Sequence, residues 1–134
     1  MHLFSKSIKA ALAVALPVLL TAQPVLAQDV IGSYAAYIGE EDLYNSDGLR
    51  LSEPWQVLRQ DRANFHRFGV AQDGDEWDPL FENADNREAM ENMIRRGYID
   101  PDAERMILSG GAMVYVSIYG AGGVGDYVEV EVFR

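Results

Sequence analysis

The C-terminal part of the chain carries the pattern that most constrains its fold. In two runs between residues 113 and 133, valine and isoleucine alternate with larger or polar side chains. The apolar set consists of Val114, Val116, Ile118, Val128, Val130 and Val132. A period of two is typical of strands with one buried face, and the glycine-rich residues 120–126 between the runs predict a turn. Because an isolated hairpin is marginal, we expect other elements to pack on its valine face.

Three upstream segments have the start and stop signals of short helices. The expected boundary residues are Ser52 and Pro54 for the first helix, Asp85 and Gly97 for the second, and Asp100, Pro101 and Gly110 for the third. The first helix is predicted to continue to about residue 68. The apolar faces expected on these helices comprise Trp55, Leu58, Phe65 and Phe68, then Met90, Met93 and Ile94, then Ala103, Met106 and Ile107.

Residues 28–51 predict extended structure with a bend, because Asn-Ser-Asp-Gly at residues 45–48 is a strong turn signal. Combined with the helices and the hairpin, this predicts an α+β fold. We expect about three short helices packed on an antiparallel sheet that contains the C-terminal β-hairpin.

The N-terminus predicts a secretory signal peptide over residues 1–27. Lys6 and Lys9 give a positively charged start, and residues 10–20 form an unbroken apolar run. Val25 and Ala27 suit a cleavage site before Gln28. The run is shorter than the about 20 residues that span a bilayer. We therefore expect a periplasmic or secreted protein without an integral membrane anchor, whose residues 28–134 form a single α+β domain.

Charge and cysteine content restrict both partners and chemistry. The net charge is −10, from 11 basic and 21 acidic residues, and loss of the two signal-peptide lysines makes it −12. Nucleic acid and anionic lipid would be repelled by such a surface, so neither is expected as a partner. The chain has no cysteine, which excludes a disulfide, a thiol nucleophile and a thiolate metal site.

Residues 120–125 match the GxGxxG pattern of dinucleotide-binding folds. In those folds the glycine-rich turn leads directly into a helix, and an acidic residue follows about 20 residues later. Here a strand is predicted to follow, and nine residues remain after Gly125. We interpret the match as accidental and expect no cofactor.

Residues 71–78 form an acidic segment. Asp73, Asp75 and Asp78 are candidate ligands of a weak cation site, because hard cations prefer clustered carboxylates. An EF-hand beginning at Asp73 would need glycine and glutamate where the chain has Asp78 and Ala84, so that motif is excluded. A solvated acidic loop is the competing interpretation.

The first predicted helix places charged residues among its apolar side chains. At 3.6 residues per turn, Asp61 and Arg62 fall in the apolar sector around Leu58. Arg59 and His66 flank Arg62 and complete a stripe beside the core. Since buried charges are costly unless they are paired, these four charged residues need an explanation.

Two interpretations of this stripe remain open. In the structural one, Asp61 and Arg62 bind each other or backbone groups, and Arg59 and His66 contact the acidic segment. In the functional one, Arg59, Arg62 and His66 line a pocket for a small anion or carboxylate, and Asp61 orients a base. The second interpretation would suit a small hydrolase or an anion-binding protein. No residue is assigned as catalytic.

Four aromatic residues fall on the hairpin face opposite the valines: Tyr115, Tyr119, Tyr127 and Phe133. If exposed, this face would be an aromatic strip suited to contact with a protein or a glycan. We expect instead that the N-terminal strands cover it as a second core layer, because a small domain needs the buried area.

Residues 60–69, which read QDRANFHRFG, and residues 44–48, which read YNSDG, resemble a group of small secreted alphaproteobacterial proteins. The resemblance extends over roughly residues 28–134 and implies export and a single domain. It brings no activity, cofactor or site residue. We expect a non-enzymatic interaction or structural module whose partner is an envelope protein or a small ligand. The small hydrolase or anion-binding protein and the weak cation binder are the alternatives.

Overall fold

The computed structural model describes residues 11–22 and 28–134. Its first elements are strand β1 (Asp29–Ile38), a 3-10 helix (Glu40–Leu43) and helix α1 (Pro54–His66). Helices α2 (Ala84–Glu88) and α3 (Met90–Arg96) then lead into the short strand β2 (Tyr98–Ile99). Helix α4 (Pro101–Ser109) precedes the two long strands β3 (Ala112–Ala121) and β4 (Val124–Phe133).

Several parts of the predicted signal peptide lie outside the described residues, namely Lys6, Lys9 and residues 23–27. Residues 11–22 are described and contain no helix or strand. Over the two described ranges, no helix is both long enough and apolar enough to cross a membrane.

The strands form one mixed sheet in the order β1-β3-β4-β2. Strands β3 and β4 are the predicted hairpin, with Val116 opposite Val130. Strand β1 pairs antiparallel with β3, whereas Tyr98 and Ile99 of β2 run parallel to β4. The predicted α+β fold and hairpin are confirmed. The expected antiparallel sheet needs correction at β2, because a two-residue strand is too short to give an alternating pattern in the sequence.

The helices cover the valine face of the sheet and form the core with it. The buried strand side chains of this face are Tyr34, Ala36, Ile38, Val114, Val116, Ile118, Val128 and Val130. The helices contribute Val57, Leu58, Met90, Met93, Ala103 and Ile107 to the same cluster. Met90 and Met93 of the second predicted helix therefore reach the core, as expected. So do Ala103 and Ile107 of the third.

Helix α1 buries a different face from the one that its aromatic residues predict. Val57 and Leu58 are fully buried, whereas Trp55 and Phe65 are half-buried. Phe68 lies beyond the end of the helix and is 48% exposed. The large aromatic side chains are therefore a poor guide to the buried side of this helix.

Two helix starts also differ from the prediction. Glu53, not Ser52, occupies the N-cap position of α1. Asn83, not Asp85, caps α2, because its side-chain oxygen accepts the N–H of Asp85 at 2.8 Å. The second predicted helix is interrupted at Ala89, so that it forms α2 and α3. At α4 both predicted ends, Asp100 and Gly110, are confirmed.

The acidic segment pairs with the outer edge of β1. The N–H of Glu76 donates to the carbonyl of Ala35 at 2.8 Å, and the N–H of Ala35 donates to Glu76 Oε1 at 3.1 Å. The N–H of Tyr37 donates to Asp75 Oδ1 at 2.8 Å. An unpaired strand edge can recruit other strands, so these bonds protect the edge of the sheet.

No element in the described ranges forms a layer over the second face of the sheet. We call this surface the open sheet face, and its residues are Ser33, Ala35, Tyr37, Met113, Tyr115, Ser117, Tyr119, Tyr127, Glu129, Glu131 and Phe133. Tyr115 is 39% exposed and Phe133 54% exposed. The expectation that N-terminal strands cover this face is wrong, because β1 joins the same sheet beside β3.

Candidate functional site

Arg62 is the centre of a buried ionic network that joins α1 to the acidic segment. Its Nε donates to Asp61 Oδ2 at 2.7 Å. Its Nη1 donates to Asp78 Oδ1 at 3.1 Å and to the carbonyl of Glu76 at 2.8 Å. The side chain of Arg62 is fully buried. One guanidinium thus pairs with two carboxylates and also donates to a loop carbonyl through charge-assisted hydrogen bonds.

Asp78 connects this network to the chain that follows it. Its Oδ1 also lies 2.7 Å from His66 Nε2, and the His66 side chain is 3% exposed. Its Oδ2 accepts the N–H groups of Leu80 and Phe81 at 2.9 and 2.5 Å. All of these contacts are internal, so Asp78 holds the loop against the end of α1.

Two aromatic rings sandwich the Arg62 guanidinium. Its central carbon lies 4.0 Å from the ring centroid of Tyr34 and 4.7 Å from that of Phe65. Cation–π contacts of this kind are strongest where water is excluded. Arg62, which lies on α1, therefore contacts β1 through the ring of Tyr34 and the acidic segment through its hydrogen bonds.

Burial shifts the proton equilibria of this network. Burial raises the pKa of Asp61 to about 7, although the nearby positive charge of Arg62 opposes that rise. Burial also raises the pKa of Tyr34 far above its ordinary value, so its hydroxyl stays protonated. Burial alone would lower the pKa of Arg62, but the charges around it outweigh that effect and the pKa is raised. Arg62 is therefore always charged, whereas Asp61 changes its charge near neutral pH.

Three buried polar atoms of the network have no hydrogen-bond partner among the described residues: Tyr34 Oη, Asp61 Oδ1 and Arg62 Nη2. A buried polar atom without a partner costs free energy. A proton on Asp61 Oδ1 would remove a negative charge from this site. This agrees with the raised pKa of Asp61.

We expect Asp61 to make stability depend on pH. Its pKa is about 7 in the folded protein, against about 3.9 in an unfolded chain, so the folded state binds the proton more tightly. Stability should therefore fall as pH rises from about 4 to about 7, by at most about 1.4 kcal/mol per pH unit from this group. Asp61→Asn, which cannot ionise, should lack this contribution. Urea unfolding of both proteins across this pH range measures it.

The exposed Asp73 provides the matched control, and Asp73→Asn should keep the pH dependence of the wild type. The account of Asp61 would be contradicted if wild type and Asp61→Asn differed by the same free energy at every pH.

The structure does not gather the whole predicted stripe into one pocket. Arg62 and His66 both contact Asp78, as the structural interpretation expects. Arg59 does not join them. It is exposed, its guanidinium lies 5.7 Å from the ring centroid of Trp55, and it lines a separate cavity of about 190 Å³.

The three candidate cation ligands have separate roles. Asp73 is exposed, and Asp78 belongs to the Arg62 network. The carboxylate of Asp75 accepts the N–H groups of Tyr37 and Gln72 at 2.8 and 2.7 Å. Within the described ranges, no three His, Cys, Asp or Glu side chains are grouped to hold a metal ion. The weak cation site therefore stays a prediction from the sequence alone.

Sequence reasoning missed further buried polar residues. Asp42 Oδ1 accepts from Asn64 Nδ2 at 2.9 Å, and Asp42 Oδ2 accepts the N–H of Gly39 at 2.9 Å. Burial raises the pKa of Asp42. Arg87 is about nine-tenths buried, and its Nη1 donates to the carbonyl of Phe81 at 2.8 Å. Asn64 could have been found from its spacing, because it follows Asp61 by three residues and shares its helix face.

Comparison of the chain with protein-family models, with curated proteins and with solved structures gave no match.

Proposed function

We propose that this protein is an exported, non-enzymatic interaction module that binds a positively charged segment of an envelope protein through its open sheet face. The observation that carries the proposal is an uncovered surface with aromatic side chains on both β3 and β4 and two neighbouring glutamates, Glu129 and Glu131, on β4. The same face carries Tyr115, Glu131 and Phe133 in adjacent register positions.

The aromatic residues of this face are suited to recognition. The rings of Tyr119 and Tyr127 stack with centroids 4.7 Å apart, so their positions are mutually fixed. Tyr115 and Phe133 are both more than one-third exposed. Rigid tyrosine and phenylalanine side chains lose little entropy on binding and are enriched in interfaces. Exposed apolar surface of this kind is typical of contact sites.

The charge of the face favours a basic partner. Glu129 and Glu131 lie on it, and Glu129 Oε2 accepts the Tyr119 hydroxyl at 3.3 Å. These two glutamates also line a cavity of about 470 Å³ that includes Asp100 and Asp102. The acidic surface therefore continues past the edge of β4. A partner with arginine or lysine side chains would gain both charge attraction and cation–π contacts with the tyrosines.

The geometry of the Arg62 network supports a structural role for it. A substrate anion would have to reach guanidinium and imidazole groups that are at least 97% buried and already bonded to Asp78. Since these contacts are directed at the protein itself, we assign the network to the maintenance of the fold. This favours the interaction module over a hydrolase that would use Arg62 and His66.

Binding of an arginine-rich peptide tests the proposal. A labelled peptide of alternating arginine and leucine, titrated with the full chain at low salt, should show saturable binding by fluorescence anisotropy. Tyr115→Ala and Phe133→Ala leave the net charge unchanged, and each should weaken binding by about tenfold, as expected for an interface residue worth about 1.4 kcal/mol. Glu131→Gln should weaken it through the loss of charge.

Phe68→Ala is the matched control, because Phe68 is an exposed aromatic residue at the end of α1 and outside the open sheet face. It should bind the peptide like the wild type. Equal weakening by Phe68→Ala and Tyr115→Ala, or no saturable binding by the wild type, would contradict the proposed surface.

A further inference from the structure

We infer that Arg59, Arg67 and Arg87 form a binding site for a small tetrahedral oxyanion, such as phosphate or the phosphoryl group of a monoester. The three arginines line the cavity of about 190 Å³ that separates α1 from α2. This site belongs to the helix layer, so it is independent of the open sheet face. It also differs from the anion pocket of the functional interpretation, which comprised Arg59, Arg62 and His66, because it contains Arg67 and Arg87 instead of Arg62 and His66.

The charge of the cavity is opposite to that of the rest of the protein. The chain holds 21 acidic residues, yet none of these three arginines forms a salt bridge in the described part of the chain. Glu88 is the one acidic residue among those that line the cavity in the described ranges. Three guanidinium groups and one carboxylate give the cavity a net positive charge, which attracts a small anion.

Two of the guanidinium groups lie beside aromatic rings, and the third is anchored by hydrogen bonds. Arg59 lies 5.7 Å from the centroid of Trp55, and Arg67 lies 5.0 Å from that of Phe68. Arg87 is about nine-tenths buried, and its Nη1 donates to two backbone carbonyls at 2.8 and 2.9 Å. Its Nε and Nη2 donate to no group in the described part of the chain. An arginine anchored like Arg87 loses less entropy on binding, which favours affinity.

The size and the donors of the cavity select the ligand class. A volume of about 190 Å³ accommodates a phosphate or sulfate ion. Arginine donors match tetrahedral oxyanions well because each guanidinium presents paired N–H groups. Ser46 also lines the cavity, and a serine side chain carries a neutral hydroxyl donor. The acidic surface beyond the cavity would repel a polymeric nucleic acid.

Titration of the full chain with inorganic phosphate, followed by amide chemical shifts at constant ionic strength, tests this site. We expect saturable shifts at residues 59–67 and 84–88. Arg59→Gln and Arg67→Gln should each weaken phosphate binding by about tenfold, consistent with a charge-assisted hydrogen bond worth about 1.5 kcal/mol. Glu88→Gln removes the opposing charge and should tighten binding.

Arg95→Gln is the control, because Arg95 is exposed on α3 and pairs with Glu91 away from the cavity. It should leave phosphate binding unchanged. Phosphoserine that binds more tightly than phosphate would assign the site to a monoester, and the reverse order would assign it to the free ion. The inference is overturned if phosphate gives no saturable shifts, if acetate binds as tightly, or if Arg59→Gln and Arg95→Gln have equal effects.

Discussion

Replacement of Arg62 by alanine is expected to destabilise the protein by at least about 3 kcal/mol. The substitution removes the cation that pairs with Asp61 and Asp78, and both carboxylates are buried. It also leaves the carbonyl of Glu76 without its donor and empties the space between the rings of Tyr34 and Phe65. Loss of one partner from a buried ion pair strands the other charge, which explains the size of the effect.

Chemical denaturation of both proteins at one fixed pH measures this loss. The matched control is Arg59→Ala, which removes an exposed arginine from the same helix and should change stability by less than about 0.5 kcal/mol. If the two variants were equally stable, Arg62 would not hold the fold together. A role for it in ligand binding would then have to be reconsidered.

Replacement of Gly97 by alanine is expected to cost at least about 2 kcal/mol. Gly97 ends α3 and begins the turn into β2, and a Cβ there would lie 1.7 Å from the carbonyl oxygen of Val128. The Cβ is bonded directly to the backbone of residue 97 and the oxygen is a backbone atom, so neither can rotate away and β2 must move away from β4. The pairing of Tyr98 with Glu129 should therefore be lost.

Hydrogen exchange at β2 and denaturation of the whole protein measure this effect together. Gly48→Ala is the control, because Gly48 also lies in a turn but has no neighbouring atom within 4 Å of an added Cβ. Its positive φ of 78° gives a cost of about 1 kcal/mol without a steric clash. Rapid exchange of the β2 amides only in Gly97→Ala would support the account, whereas wild-type stability in Gly97→Ala would contradict it.

The strand pattern and the helix ends were predictable from the sequence where local signals and tertiary packing agree. The alternation of Val114 with Val116 and of Val128 with Val130 identified the buried face of the hairpin. Asp100 and Gly110 marked α4 because capping is a local effect. The short strand β2 could not be predicted in this way, since its pairing depends on a distant strand.

The network was only partly predictable. Helical spacing identified Asp61 and Arg62 as charges inside an apolar sector, and their pairing follows from the cost of burial. Spacing along one helix could not show that Asp78 would be their partner, because Asp78 lies in a loop. The sequence does not reveal the contact between Asp78 and Arg62. Asp78 and Asp73 were therefore equally good candidates for metal ligands.

The arginine cavity was not predictable from the α1 stripe. Arg87 lies on another helix, and Arg67 follows the last turn of α1. The sequence placed Arg59 and Arg62 in one stripe on the first predicted helix, but the structure buries Arg62 and exposes Arg59. Arg62 faces the carboxylates of the core, whereas Arg59 faces α2.

The most direct test of the central claim is to map where a basic peptide binds on the protein. Amide and side-chain chemical shifts, recorded during titration with the arginine–leucine peptide, locate the contact surface residue by residue. The account predicts a footprint on β3 and β4 that includes Tyr115, Glu131 and Phe133, with the α1 residues Arg59 and His66 unaffected. A footprint confined to the helix layer, or none at saturating peptide, would contradict the open sheet face as the binding surface.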